Sequence, residues 1–463
     1  MKKLFSLIAA MAAVTFALPA FAATFTFHGD LNNRFMVYTD QAQWFKADGK
    51  GQTSSQKSKD SWGEIKYRLW TEAATNDGKI KGVYAIELGA LRFGQTGGTT
   101  KGSGGSFSGD GVNIETRWAY IDFALPSENG RVSIGLQPVK VNSFFWNETA
   151  MGVLYRQGGL TAGWVRGQEA VSTANDDWGE GDLDALIARY DLKQDALKAG
   201  FWGVFLSETS SDPFVDFSAF NAIQQYQVKA LGKADLGLYA IGLDGGLTLP
   251  TGLGDAFIKW DAIYEGGSIN DVSFDGGVTK ADLDLSAFLL HADAGLNLGK
   301  SKLTYTVWYA SGDDNAADTD LDGYISVDED RFDSIIFMEG GYTDDNYFTE
   351  RPYIGDKGLF LNKLALDHQA TDKLKLGGAL LYLMTAEDLV YTDDNGVQRS
   401  EDALGVEVDA YVSYKLFPNC EVALNAGYLF ADDGMDFFEV AGERDGGADN
   451  DIFRSTARVR YKF

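Results

Sequence analysis

The sequence predicts an all-β protein, a single antiparallel transmembrane β-barrel of sixteen strands. Apolar and polar residues alternate along most of the chain, as in strands that separate lipid from water. Very short turns also alternate with long polar loops, as on the two rims of such a barrel. The last stretch, residues 451–463, sets Phe453, Val459, Tyr461 and Phe463 against a cationic face of arginines and lysine.

The N-terminus has the three parts of a secretory signal peptide. Lys2 and Lys3 precede an apolar run, and Ala20-Phe21-Ala22 forms a small-residue cleavage site. We therefore predict a signal peptide over residues 1–22 and one barrel domain over residues 23–463. No later apolar run is long enough for a transmembrane helix, so a mature chain that spans a membrane must do so as a barrel.

The amino-acid composition excludes some classes of partner and of structure. The chain has 67 acidic and 40 basic residues and a formal net charge of −27, which argues against nucleic acid as a partner. Its hydrophobic content of 45% exceeds that of disordered chains. Cys420 is the single cysteine, so no intrachain disulfide can form.

The turns and loops between the strands mark the predicted strand boundaries. After a first polar loop at residues 40–60, short turns and long loops alternate along the chain. Counting the strands between them gives sixteen, with both termini on the short-turn side. Residues 213–231 fit either a helix within a loop or an additional strand. The predicted short turns lie at 76–78, 129–130, 193–195, 251–254, 300–301, 371–372 and 418–419, and the long loops at 94–110, 141–181, 209–232, 270–282, 312–356, 388–402 and 433–450.

The clearest strand is Leu404–Leu416, in which Val406, Val408 and Tyr414 alternate with Glu407 and Asp409. A soluble sandwich would show the same alternation. Aromatic residues at the strand ends and charges of both signs on the polar face favour lipid outside and water inside. We expect the C-terminal strand to close the barrel against the first one.

Several segments resemble the sixteen-stranded general porins, and most closely the homotrimeric porins of sulfate-reducing bacteria. They are the signal peptide, Thr116–Phe123, Asn129-Gly130-Arg131 with the following Ile134-Gly135, the long third loop, and Tyr461–Phe463. The resemblance implies a homotrimer in the outer membrane of a Gram-negative bacterium, embedded in outer-membrane lipid. It also implies a third loop, 141–181, that folds into the barrel, and a second loop, 94–110, that contacts a neighbour. The Gly/Ser-rich composition of 94–110 is equally typical of a flexible surface loop.

The same resemblance predicts a charged constriction. An acidic loop would face a cationic wall, and the field between them would orient polar solutes. The alternative is that the wall only neutralises carboxylates of the lumen. The predicted basic wall consists of Arg34, Lys66, Arg68, Arg117, Arg454 and Arg458, and the predicted constriction loop carries Glu148, Glu169, Asp176, Asp177 and Glu180 beside Arg156 and Arg166.

The segment Asp318–Glu329 matches the twelve-residue EF-hand calcium loop. Carboxylates occupy positions 1, 3, 5 and 12, and Gly323 occupies position 6. We predict a structural Ca²⁺ in an outer loop, with Asp318, Asp320, Asp322, Tyr324, Ser326 and Glu329 as ligands. The alternative is a solvated acidic loop.

These features predict a porin, a water-filled channel for passive diffusion of small hydrophilic solutes and ions. Two alternatives stay open: a substrate-selective channel for small anions, and a structural or adhesive surface barrel. His28, His291 and His368 lie in no catalytic motif, so we expect no enzymatic activity. Ion selectivity is open because the net charge favours cations and the arginine wall favours anions.

Overall fold

The protein is described here by a computed structural model. It describes residues 23–39, 59–94, 114–126, 129–169, 182–208, 215–216, 235–273, 281–315, 318–328, 330–331, 333–338, 357–439, 442–448 and 450–463. The predicted signal peptide, residues 1–22, lies outside the described residues.

Within the described residues, eighteen strands build the wall. They are β1 Ala23–Thr39, β2 Lys59–Thr75, β3 Ile80–Arg92, β4 Ile114–Ala124, β5 Arg131–Asn142, β6 Trp146–Gln157, β7 Leu160–Gln168, β8 Leu183–Gln194, β9 Leu197–Glu208, β10 Asp235–Pro250, β11 Asp255–Ser273, β12 Ala281–Leu298, β13 Ser301–Ala310, β14 Leu359–Gln369, β15 Leu374–Thr392, β16 Gln398–Phe417, β17 Cys420–Ala431 and β18 Ile452–Lys462. Two-residue pairings add Val215–Asp216 beside β11 and Asp320–Leu321 beside β12, and a 3₁₀ helix covers Asp433–Phe438.

Each barrel strand pairs antiparallel with the next, and β1 also pairs antiparallel with β18. The predicted closure by the C-terminal strand is therefore confirmed. The backbone of Phe463 completes it, because Gly29 donates to the Phe463 carbonyl over 2.9 Å and Phe463 donates back to Gly29 over 3.0 Å.

The prediction of sixteen strands is wrong, because the barrel has eighteen. The two missed strands, β6 and β7, lie inside the predicted third loop 141–181, and the tight turn Gly158-Gly159 joins them. Their inward side chains include Leu154 and Val165, which are buried. Leu154 and Val165 thus interrupt the polar inner face, to which Glu148 and Arg156 also belong, and the alternation is less regular than in the other strands. The prediction that residues 141–181 form an inward-folded third loop is also wrong, because β6 and β7 belong to the barrel wall.

The alternation of faces holds elsewhere. In β16, Val406, Val408 and Tyr414 are exposed on the outer wall, whereas Glu407 and Asp409 are buried inside. All seven predicted short turns lie at or next to strand ends, and Asn76-Asp77-Gly78 uses a positive φ of 65° at Gly78.

One long connection enters the barrel. The described part of residues 311–338, between β13 and β14, is called the inward segment below. Its Tyr324, Ile325, Ile336 and Phe337 are at most 2% exposed. They join the apolar cluster made by the inward side chains of β11, β12 and β14. Among the described residues, no helix is long and apolar enough to cross a membrane.

Candidate functional site

The inward segment is held against the inner wall by buried charged side chains. Glu407 of β16 accepts hydrogen bonds from Ser334 Oγ, Ile335 N and Ile336 N over 2.6, 2.7 and 3.0 Å. Arg454 of β18 donates to the Ile335 carbonyl over 3.3 Å. Since Glu407 is 0% and Arg454 1% exposed, both side chains are used to fix this segment across the bore.

Two further contacts hold the rest of the segment. Glu265 of β11 accepts from Ile325 N over 2.9 Å, and Lys363 of β14 donates to the Asp333 carbonyl over 2.5 Å. Burial alone would raise the pKa of the Asp333 carboxyl, but Arg331 and Lys363 outweigh it and lower that pKa. The carboxyl therefore stays ionised, and its attraction for Arg331 is lost only when the pH falls below its usual titration range.

The tip of the β5–β6 hairpin, residues 143–145, turns inward and meets this segment. Tyr324 donates its hydroxyl hydrogen to the Phe144 carbonyl over 3.1 Å. Val327 N donates to the Phe145 carbonyl over 2.9 Å, and Trp146 forms a parallel bridge with Asp328. The constriction is thus built from a short hairpin tip and the inward segment, which replace the predicted third loop.

A second part of the inner wall, formed by β2, β3, β4 and β6, carries a cluster of charges that we call the eyelet cluster: Lys66, Arg68, Glu87, Arg117 and Glu148. Three cations surround Glu87, with Lys66 Nζ at 3.4 Å, Arg68 Nε at 2.5 Å and Arg117 Nη1 at 3.0 Å. Arg117 also reaches Glu148 of β6 over 3.5 Å. The side chains of Arg68 and Arg117 are 20% and 22% exposed, so they meet the open part of the bore.

The predicted basic wall therefore divides into two groups. Lys66, Arg68 and Arg117 belong to the eyelet cluster. Arg34 forms a buried ion pair with Glu64, Arg454 binds the inward segment, and Arg458 pairs with Glu421 over 2.6 Å.

The predicted acidic loop also divides. Glu148 joins the eyelet cluster. Glu169 instead pairs with Arg166 at the outer end of β7, where Arg166 also binds Asp182 and Asp184. Arg166 is on the same side of β7 as the exposed Trp164, whereas Val165 points inward, so this cluster lies on the outside of the barrel. Asp176, Asp177 and Glu180 lie outside the described residues.

Below the constriction, on the short-turn side, lies a cavity of about 740 Å³. Its charged lining includes Lys81, Asp122, Arg156, Arg189, Asp244 and Arg331. Arg189 is neutralised by Asp244 over 2.6 Å and Asp191 over 2.7 Å. Arg156 donates to Ser133 Oγ over 2.8 Å and forms no ion pair within the described part of the chain. A second cavity of about 660 Å³ shares Arg189, Asp244 and Arg331 with the first.

The calcium-loop motif is only partly exposed, at Asp318, Thr319 and Asp320. Leu321, Tyr324, Ile325 and Ser326 are buried inside the barrel. The Asp318 carboxylate accepts from Asp320 N over 3.0 Å. Neighbouring carboxylates and partial burial raise the pKa of Asp322, with burial the larger cause. Among the described residues, no three acidic, histidine or cysteine side chains converge as a metal site. Glu329 lies outside the described residues.

Sequence reasoning missed the roles of Glu87, Glu265 and Glu407. Alternation assigns each of them to the inner face. What it does not show is which part of the inner wall a loop will cover. One signal was present: Ile335-Ile336-Phe337-Met338 is an apolar run in an otherwise acidic connection, which is typical of a buried segment.

Solved structures of Pseudomonas aeruginosa proteins share this fold. OccK9 (OpdG) of Pseudomonas aeruginosa has 13% sequence identity and a TM-score of 0.55, over 95% of this chain and 98% of that one. OprD of the same organism has 13% identity and a TM-score of 0.53, over 95% of each chain. The outer membrane protein OpdK, also of P. aeruginosa, has 11% identity and a TM-score of 0.50, over 95% and 98%. No protein-family model and no curated protein sequence matches the chain.

These comparisons correct the predicted resemblance. The likeness to sixteen-stranded homotrimeric general porins is wrong, because the eighteen-stranded barrel matches the Occ and OprD structures. The homotrimer rested only on that resemblance and loses its support. At these identities the likeness concerns the fold. The chain therefore shares the closed β-barrel fold of these proteins, one of which is named an outer membrane protein, and this fold agrees with the predicted outer-membrane location.

Proposed function

We propose that the barrel is a substrate-selective diffusion channel for small hydrophilic anions. The observation that carries this proposal is the eyelet cluster, where Lys66, Arg68 and Arg117 surround the single carboxylate of Glu87. Among the described ion pairs of this cluster, three cations meet two acidic groups, Glu87 and Glu148, in a chain whose net charge is −27. A local excess of positive charge in a narrow, low-dielectric passage attracts anions more strongly than the distant net charge repels them.

The geometry of the arginines supports a carboxylate or similar oxyanion as the substrate class. Arg68 and Arg117 each bind Glu87 through part of the guanidinium group and keep part of their surface in the bore. A planar guanidinium presents several donors to such an anion. Arg156, which has no carboxylate partner among the described residues, lies farther along the path in the first cavity.

A second function, non-selective passive diffusion, is favoured by a different observation. Asp122, Asp191, Asp244 and Asp261 line the same cavity as Arg156 and Arg189. Mixed charges can hydrate solutes of either sign without retaining one of them. The two functions differ in one measurable property, which is whether a solute saturates the channel.

The test is current block by a small carboxylate such as acetate in single channels of the wild-type protein, Arg117→Ala and Arg166→Ala. We expect saturable block in the wild type and a several-fold weaker block in Arg117→Ala. An attraction of about 1 kcal/mol between unit charges about 4 Å apart in water corresponds to such a change. Arg166→Ala removes an arginine from the outside of the barrel and should leave block unchanged.

Non-saturating conductance in all three proteins would favour passive diffusion. Equal weakening in Arg117→Ala and Arg166→Ala would show that the eyelet cluster is not the binding site. Heat-dependent migration of each variant on a denaturing gel controls for folding.

We also propose, separately, that the segment Asp318–Glu329 binds calcium. The spacing of its oxygen ligands supports this proposal. Terbium luminescence sensitised by Tyr324, with competition by Ca²⁺, measures it in the whole protein. We expect a signal that Asp318→Asn with Asp320→Asn abolishes. No Ca²⁺-displaceable signal at millimolar concentration would remove this proposal.

A further inference from the structure

A histidine joins the two parts of the constriction to the barrel wall. His291 lies on the inner face of β12, and its side chain is 1% exposed. Its Nδ1 is 2.7 Å from Asp261 Oδ2 on β11, and its Nε2 is 3.1 Å from Asp293 Oδ1 on β12. Both ring nitrogens therefore face carboxylate oxygens.

This arrangement fits a doubly protonated ring. A neutral imidazole carries one N–H, so its other nitrogen would direct a lone pair at a carboxylate oxygen. Both carboxylates already accept from other donors. Asn142 Nδ2 donates to Asp261 over 2.7 Å, and Thr306 Oγ1 donates to Asp293 over 2.7 Å. The geometry thus fits an imidazolium between two ionised aspartates.

The same histidine contacts the hairpin tip directly and the inward segment through Asp293. The ring of Phe144, at the tip of the β5–β6 hairpin, lies 4.9 Å from the His291 ring between centroids. Asp293 also accepts from Arg331 Nη2 of the inward segment over 3.1 Å. His291 therefore keeps Asp293 in place for Arg331 and supports Phe144 from below.

Each element packed against His291 and its two aspartates contributes further charged side chains. Asp333 binds Arg331 over 2.6 Å and is approached by Lys363 of β14 at 3.7 Å. Lys259 of β11 lies 3.9 Å from Asp293. Farther away, Asn142 reaches Asp244 of β10 over 3.4 Å, and Arg189 of β8 binds that carboxylate. Loss of the imidazolium proton would leave Asp261 without a cationic partner in the described residues.

We infer that His291 is a proton-controlled latch of the channel constriction. While the imidazolium is present, it holds Phe144 and the inward segment at Arg331 against the wall. As the pH rises and the ring loses its proton, one ring nitrogen repels an aspartate, the hold weakens, and negative charge is added to the lining of the second cavity, which includes His291. The constriction then fluctuates more widely and favours anions less.

The test records single-channel current noise and reversal potential between about pH 5 and about pH 9, which includes the range of about pH 5 to 8 in which an unperturbed histidine titrates. We compare the wild type with His291→Gln, which keeps a similar size and cannot become cationic. The chain contains three histidines, so His28→Gln and His368→Gln complete the controls. His368 is exposed near the short-turn rim and contacts Ser301 Oγ.

We expect noise in the wild type to rise at least twofold across this range, and anion preference to fall. His291→Gln should show the high-pH behaviour at all pH values, and the two control variants should behave like the wild type. A pH step that persists in His291→Gln, or a wild type without any step, would overturn the latch.

A second measurement does not depend on conduction or on the proposed anion selectivity. Nitrogen NMR of histidine-labelled whole protein reports the protonation of each ring nitrogen, and the His291→Gln spectrum assigns the signal. We expect both nitrogens of His291 to be protonated near neutral pH. A neutral His291 ring at that pH would contradict the inference even if the channel proves cation-selective.

Discussion

Two regions of the inner wall use the same kinds of side chain in different ways. On the wall of β11, β16 and β18, Glu265, Glu407 and Arg454 are buried beneath the inward segment and bind its backbone. On the wall of β2 to β4, Arg68 and Arg117 remain partly exposed to the bore. An inward charge on a barrel strand is therefore a structural anchor where a loop covers it and a candidate selectivity residue where water covers it.

Replacement of Glu407 by alanine should have the largest effect, because it removes three hydrogen bonds at once. Hydrogen bonds to a charged group contribute about 1.5–3 kcal/mol each, so the inward segment should detach from β16. We expect a larger and noisier single-channel conductance with unchanged barrel assembly.

The matched control for this change is Glu72→Ala. Glu72 is also an inward carboxylate, but its side chain is 30% exposed and it pairs with Lys81 over 3.3 Å. Its removal should leave conductance noise at the wild-type level. If both variants behave alike, the difference between the covered and open walls is not the cause.

A smaller effect is expected from Glu87→Gln on the open wall. The substitution leaves Lys66, Arg68 and Arg117 in place and removes the carboxylate that they share. Anion preference should increase several-fold, opposite in direction to the change expected for Arg117→Ala, and the conductance noise should stay constant. Reversal potentials in a salt gradient measure both variants, and a shift of Glu87→Gln toward cations would contradict the role of the eyelet cluster.

Much of the barrel could be predicted from the sequence, because a strand in a lipid–water wall must alternate its faces. The alternation over 406–416 and the closure at Phe463 are examples that the structure confirms, whereas Leu404, which the pattern places on the outer face, is buried. The strands β6 and β7 could not be recognised in this way. Their inner face mixes the charged Glu148 and Arg156 with Leu154 and Val165, which pack in the apolar cluster, so apolar and polar residues do not alternate regularly there.

The candidate site was predictable in composition but not in arrangement. Lys66, Arg68 and Arg117 were assigned to a basic wall by alternation alone, and they do lie together around Glu87. Arg34 and Arg454 also occupy inward positions in the alternating sequence, yet their side chains are buried. The difference arises from long-range contacts, such as Ile335 on Arg454, between residues far apart in the chain.

The most direct test of the account is the reversal potential of wild-type single channels in a KCl gradient near neutral pH. The excess of cations in the eyelet cluster predicts a potential of the sign that marks chloride as the more permeant ion, decreasing with ionic strength as the charges are screened. A potential that marks potassium as the more permeant ion would show that the acidic groups of the chain control permeation, and it would contradict the proposed anion channel.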